Sequence, residues 1–183
     1  MNQVLSVISS RRSHRAYQEK QLTQEQLDAI LSAALQAPTG INRQAWHFSV
    51  VQSQALLAQI NEACRENALK KDPSQRSARF SDESFHVFYH APTVIFISTP
   101  HGDYQVDCGI AVQTIALAAE SLGIGSVILG IPREAFESEK AADIRKALHF
   151  PENHDFVIAI SLGTPADDKP AHEIGEGKIS LIP

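Results

Sequence analysis

Three arginines crowd one short stretch: Arg11, Arg12 and Arg15, separated only by Ser13 and His14 and placed directly after the apolar segment Val4 to Ile8. Guanidinium groups this close repel one another unless solvent or an anion stands between them. Their planar forks match phosphate oxygens two at a time, and each charge-assisted hydrogen bond contributes on the order of 1.5 to 3 kcal/mol. These residues read either as a phosphate-binding turn or as a solvated basic one. A second candidate is APTGINRQAWHF, residues 37 to 48, in which Thr39, Asn42 and Gln44 offer donors and acceptors ahead of an aromatic-led strand. Such groups can read the edge of a planar heterocycle. The same run also suits a loop of Asx-type turns, with Trp46 in the core.

Other patterns argue against particular chemistries. GIGSVILG, residues 123 to 130, has the glycines of a dinucleotide fingerprint but follows a helical segment and enters a strand, the reverse of the order that aims a helix N-terminus at pyrophosphate. Gly130 keeps a different use, since a backbone without a Cβ lets a flat ring approach an amide donor; otherwise it is a plain strand-end turn. His86 and His90 are four apart, but no Glu follows His86 and no third ligand is apparent, so no metal site is assigned. There is no GxSxG elbow, and neither Cys64 nor Cys108 has a neighbouring His, which leaves no catalytic nucleophile and makes both thiols apolar fillers. Lys70, Lys71, Arg76 and Arg79 are interleaved with acids and read as a solvated loop face.

The elements that must position these residues are marked by periodicity. Leu27, Ile30, Leu31, Ala34 and Leu35 share one face of a helix over residues 24 to 36, opened by a Thr23/Gln26 capping box with Leu22 and Leu27 as a hydrophobic staple, and closed by Pro38. His47 to Gln52 has strand character, and residues 54 to 70 return to helical spacing. Residues 71 to 86 are polar and aperiodic, a long surface excursion. Thr93 to Ser98 and Phe156 to Leu162 are almost wholly apolar and β-branched, as expected of central strands covered on both faces. Residues 107 to 122 form a helix that is apolar nearly all round: Cys108, Val112, Ile115, Ala119 and Leu122 on one face, Ile110, Ala111, Leu117 and Ala118 on another. In so small a chain such a helix needs cover from a second subunit, so a dimer is implied. Ser126 to Leu129 form a short strand, residues 138 to 149 a last amphipathic helix, and the tail after Gly163 is irregular.

At 183 residues the chain fits one domain over residues 1–183, burying roughly 70% of its unfolded surface by size scaling. Its 16 Lys and Arg against 21 Asp and Glu leave a net charge of −5, which excludes long-range attraction to nucleic acid or an anionic membrane. No apolar run reaches membrane-spanning length, and the N-terminal charges follow the apolar stretch, the reverse of a signal peptide; a cytoplasmic address is expected.

Taken in order, RRSHRAY (11–17), APTGINRQAWHF (37–48), DCGIAVQTIALAAESLGIGSVILG (107–130) and FVIAISLGTP (156–165) resemble the nitroreductase family of FMN-dependent oxidoreductases. The resemblance implies an α+β fold with a mixed β-sheet flanked by helices, a homodimer built around the long apolar helix, and FMN sites made from both subunits. It implies that Arg11, Arg12 and Ser13 contact the phosphate and ribityl end of FMN and that Arg15 places positive charge near the pyrimidine edge. Thr39, Asn42 and Gln44 match the segment that reaches the flavin across the interface, and Leu129 and Gly130 the backbone facing its reactive edge. NADH or NADPH would be the transient donor and a nitroaromatic or quinone the acceptor. A flavin-binding storage or sensing protein and a reductive dehalogenase are the alternatives. Two departures stand out: Ala45 replaces the Pro common after the Gln matching Gln44, and neither Lys169 nor Lys178 aligns with the family's basic tail pair, so no tail residue is assigned. Residues 71 to 86 are expected to form a lid.

Overall fold

Strands β1 (His47–Val51), β2 (Thr93–Pro100), β3 (Gly125–Leu129) and β4 (His154–Gly163) form one sheet in the order β1-β2-β4-β3. The computed structural model describes residues 2–103 and 105–182. Among the described residues six α-helices accompany the sheet: α1 (Gln3–Ser10), α2 (Gln24–Leu35), α3 (Gln54–Lys70), α4 (Gln105–Ser121), α5 (Arg133–Phe136) and α6 (Ala141–Ala147). The architecture is α+β, with β2 and β4 at the centre as their apolar sequences require. All three strand pairings are antiparallel. The parallel component expected of a mixed sheet shrinks, among the described residues, to the bridge Ser13–Ser126. The reason is connectivity: β2 and β3 run in the same direction across α4, but β4 inserts between them and is antiparallel to both.

Alternation along the strands builds two cores. Val94, Phe96, Phe156 and Ala159 meet Leu57, Ile60 and Cys64 of α3 and Phe136 of α5 on one face. Ile95, Ile97, Ile160 and Leu162 meet Ile30 and Ala34 of α2 and Ile115 and Ala119 of α4 on the other. The first core is aromatic: Phe136 stacks on Phe156 with centroids 4.4 Å apart, and Phe96 meets both edge-on. Phe96→Ala is expected to cost about 3–5 kcal/mol of unfolding free energy, through lost transfer energy and the cavity left behind. Denaturant titration measures it. Cys64 and Cys108 are the expected fillers; burial pushes their thiols up to about 12 and about 11 respectively, so both stay protonated.

Local signals placed most element ends. The Thr23 hydroxyl accepts from the Gln26 N–H at 3.2 Å while the Gln26 side chain accepts from the Thr23 N–H at 3.0 Å, completing the capping box of α2. The helix expected over 138–149 is shorter, because Ser138 turns the chain: its hydroxyl donates to the Ala135 carbonyl and accepts from the Lys140 N–H. Leu122, expected on the inner face of the long helix, lies one residue beyond α4 and is 41% exposed, while Ala111 turns inward. The excursion after α3 is not wholly solvated. Phe80, in a 3-10 turn over Ala78–Ser81, is buried, and Lys70 and Lys71 pair with Glu139 and with Glu134 and Glu137.

The helices leave one apolar face without cover. Val4, Leu5 and Ile8 of α1, Leu35 of α2 and Val106 and Ile110 of α4 are exposed in the single chain. A groove of about 400 Å³ between α1 and α4 is lined by Val4, Val7, Ala33, Leu117 and Ala118 among others. No described helix is long and apolar enough to cross a membrane.

Candidate functional site

The Arg11–Tyr17 segment leaves α1 and lies along the sheet margin. Ser13 bridges Ser126 of β3, the His14 N–H donates to the Ser126 carbonyl at 3.0 Å, and Tyr17 bridges Pro165 just past β4. Two glycines make this close packing possible. A Cβ on Gly125 would stand 3.1 Å from the His14 ring, and one on Gly163 would stand 2.7 Å from Pro92 and 3.0 Å from Tyr17. The Tyr17 hydroxyl donates to the His14 carbonyl at 2.8 Å; burial, reinforced by the Asp167 carboxylate, holds the phenol far above its ordinary value and keeps that donor protonated.

Asp167 ties the tail to this segment. Its carboxylate accepts from the Arg15 N–H at 3.0 Å, lies 2.7 Å from His14 Nδ1 and pairs with Lys169 Nζ at 3.1 Å. Burial alone would raise its pKa, but these partners outweigh burial and hold it at about 2. The sign follows: a carboxyl group depressed on folding adds stability above its unfolded value of 3.8 and loses that contribution as pH falls toward 2. Asp167→Asn is therefore expected to melt below the wild type at neutral pH, with the gap closing between pH ~4 and ~2. Thermal melts across that range measure it.

The outcome is a cleft of about 330 Å³ lined by Arg11, Arg12, Ser13, Arg15, Lys169, Pro170 and His172. The structure thus adds Lys169 to the residues singled out above, with Asp167 and His14 as its supports. The spacing to the basic turn hid it, since the Asp167–His14 contact spans 153 positions. Arg12 donates from Nη1 to the carbonyls of Ser9 at 2.7 Å and Arg11 at 2.9 Å, while its Nε is buried with no hydrogen-bond partner among the described residues. An unsatisfied buried donor costs about 1–3 kcal/mol, which an acceptor oxygen in the cleft would relieve. Cations, an unused donor and an open cradle fit a phosphate group.

The second candidate group lies elsewhere. Thr39 Oγ1 accepts from the Gln44 N–H at 3.1 Å, and the Gln44 side chain donates to Asn42 Oδ1 at 2.9 Å. Ile41, Asn42 and Gln44 all take left-handed φ, between 47° and 55°. The loop holds this conformation because it is anchored at the start of α4: the Gly40 N–H donates to Asp107, and Arg43 pairs with Asp103 at 2.8 Å. Trp46, after the loop, is in the core. Leu129 ends β3 and is buried; Gly130 follows it, exposed, with open space where a Cβ would stand.

One chain brings Arg11, Arg12, Ser13 and Arg15 together and places Leu129 on the strand of their bridge, Ser126, with Gly130 one residue past its end. It does not bring Thr39, Asn42 and Gln44 to them. That loop sits at the N-terminus of α4, whereas Ser13 and His14 sit beside the strand that follows its C-terminus. At 1.5 Å rise per residue the helix separates the two groups by roughly 20 Å.

The chain is similar to known proteins over most of its length. The model of the nitroreductase family matches residues 8–164. An FMN reductase (NAD(P)H) of Bacillus subtilis is 31% identical over 175 residues, covering 91% of this chain and 68% of that protein. The crystal structure of a nitroreductase with bound FMN from Desulfitobacterium hafniense matches with a TM-score of 0.93 and 36% identity over 100% of both chains. Another with bound FMN, from Bacteroides fragilis, gives 0.92 and 30%, again over 100% of both. With a family model spanning most of its residues and relatives of this identity along its length, the chain belongs to the nitroreductase family.

Proposed function

We propose that two copies of this chain pack through their exposed α1 and α4 faces and together hold FMN, making an FMN-dependent NAD(P)H oxidoreductase. The observation that carries the reading is the cationic cleft with its unpartnered Arg12 Nε, in a fold matched over its full length by nitroreductases with bound FMN. A two-fold axis crossing the middle of α4 exchanges the ends of that helix. The Thr39–Gln44 loop of one copy then approaches the Arg11–Arg15 turn of its partner, closing the separation that a single chain leaves.

Bound FMN supplies the redox chemistry, taking reducing equivalents from NAD(P)H and passing them to a small acceptor such as a nitroaromatic or quinone. The chain's residues do the rest. Arg11, Arg12, Ser13 and Lys169 hold the phosphate, and Arg15 sets a positive charge near the pyrimidine edge, favouring reduction by Coulomb attraction. Thr39, Asn42 and Gln44 read the ring from the partner copy, and the backbone of Leu129 and Gly130 borders its reactive edge. No side chain has to act as acid or base. The whole chain serves as one FMN-binding domain in the cytoplasm, with residues 71–86 as the lid.

The test is the visible spectrum of the purified protein, repeated anaerobically after NADH or NADPH is added. A bound flavin spectrum that bleaches is the expected result. A flavin that persists would favour a storage role, and a colourless protein that takes up no added FMN would overturn the reading.

A further inference from the structure

Arg15 is exposed. Among the described residues its side chain makes one long hydrogen bond, from Nη1 to the Ser13 carbonyl at 3.4 Å, whereas its backbone N–H is held by Asp167 at 3.0 Å. What seats the guanidinium is a ring. Its carbon stands 5.9 Å from the ring centroid of Tyr89, inside the roughly 6 Å reach of a cation–π contact.

That ring is itself fixed from several sides. Its hydroxyl accepts from Arg79 Nη1 at 3.1 Å, and Phe85 meets it edge-on with centroids 5.9 Å apart. Phe85 in turn packs edge-on against the buried Phe80, 5.5 Å away. The chain leading to the ring is anchored in the core: Val87 and Phe88 are fully buried, the Val87 N–H donates to Asn61 Oδ1 at 2.8 Å, and the Phe88 carbonyl accepts from the Ser161 hydroxyl at 3.2 Å. Tyr89 and His90 then both take φ of 54°, left-handed backbone that non-glycine residues keep only where their surroundings enforce it. The outcome is a half-buried ring presented to a cation.

We propose that Tyr89 is a positioning residue: its ring seats the Arg15 guanidinium against the pyrimidine edge of bound FMN and so raises the flavin's reduction potential. The inference rests on the FMN-binding reading above, in which Arg15 lies at that edge. Hydride from NAD(P)H carries two electrons and one proton, so the flavin ring that receives it gains one negative charge while the nicotinamide becomes a cation. A cation at the edge favours that change by Coulomb attraction, which falls with distance. An exposed arginine has a long, rotamer-rich stem and spreads its charge over many positions. The Tyr89 ring confines it, so that the charge is in place before the electrons arrive.

The experiment measures the midpoint potential of bound FMN by anaerobic dithionite titration against a reference dye. The proteins compared are the wild type, Tyr89→Leu, Tyr89→Phe, Arg15→Gln and the double variant Arg15→Gln with Tyr89→Leu. Tyr89→Leu removes the ring and should cut the preference for reduced over oxidised FMN about tenfold, a fall of about 30 mV for a two-electron couple. Tyr89→Phe keeps the ring and loses only the Arg79 contact, so its potential should stay with the wild type. Arg15→Gln should lower the potential at least as far as Tyr89→Leu, and adding Tyr89→Leu to it should change nothing further, because the ring acts through the arginine. Tyr89→Gln supplies the same reading should the leucine variant not fold. An unshifted potential in Tyr89→Leu, an equal fall in Tyr89→Phe, or a further fall in the double variant would overturn the role of the ring. Dithionite needs no nicotinamide, so a flavin that NAD(P)H fails to bleach would sink the reductase reading and leave the ring's effect measured. A protein that takes up no FMN would overturn both.

Discussion

Replacing Ile110 with Glu is expected to yield a folded monomer that retains no FMN. Ile110 is 37% exposed on α4 and belongs to neither core cluster, so the single chain is expected to fold with the change. In the proposed dimer the same position lies against the partner. A carboxylate buried there without a partner costs several kcal/mol, and two-fold symmetry repeats that cost in each copy. FMN should go with the dimer because the Thr39–Gln44 loop and the Arg11–Arg15 turn lie at opposite ends of α4 in one chain. Sedimentation gives the oligomeric state, circular dichroism the fold, and flavin absorbance after desalting the occupancy. A variant that stays dimeric would move the interface off this face. A monomer that keeps its flavin would show that one chain suffices for binding.

Arg12→Ala is expected to weaken FMN binding by about 10- to 100-fold, the equivalent of one charge-assisted contact, while riboflavin binding stays unchanged. Riboflavin has the same ring and no phosphate, so it separates loss of the phosphate contact from a general loosening of the site. The control matters because Arg12 also donates to the carbonyls of Ser9 and Arg11 and so steadies the end of α1. If both ligands weakened equally, Arg12 would be a brace for the turn and not a phosphate ligand. Equal retention of FMN would remove it from the site.

Arg12 probes the proposed phosphate end of the flavin site, Ile110 the proposed union of two copies that would supply the other end. Asp167 lies between them in consequence: it fixes the tail against the basic turn and pairs with Lys169 at the cleft, so that in the proposed site a carboxylate supports anion binding by positioning a cation.

What the sequence determined by itself was local. The capping box at Thr23, the helical spacing of residues 54 to 70 and the β-branched runs of β2 and β4 depend on contacts within a few positions, and each appears where its pattern puts it. The apolar girth of α4 was equally legible, since periodicity reports how many faces of a helix avoid water. The cationic turn and the Thr39–Gln44 run were visible as chemistry because their residue types alone restrict what they can bind. Tertiary structure decided how those parts meet. The antiparallel character of the sheet follows from β4 entering between β2 and β3, a choice no local propensity encodes. Lys169 reaches the cleft only because the chain after β4 pairs with residues 13 to 18 across some 150 positions, and the roughly 20 Å gap between the two candidate groups appears only once α4 has a direction in space. Propensity acts along the chain and burial acts across it: residues distant in sequence are joined by packing of the two cores, which reports nothing in any short window.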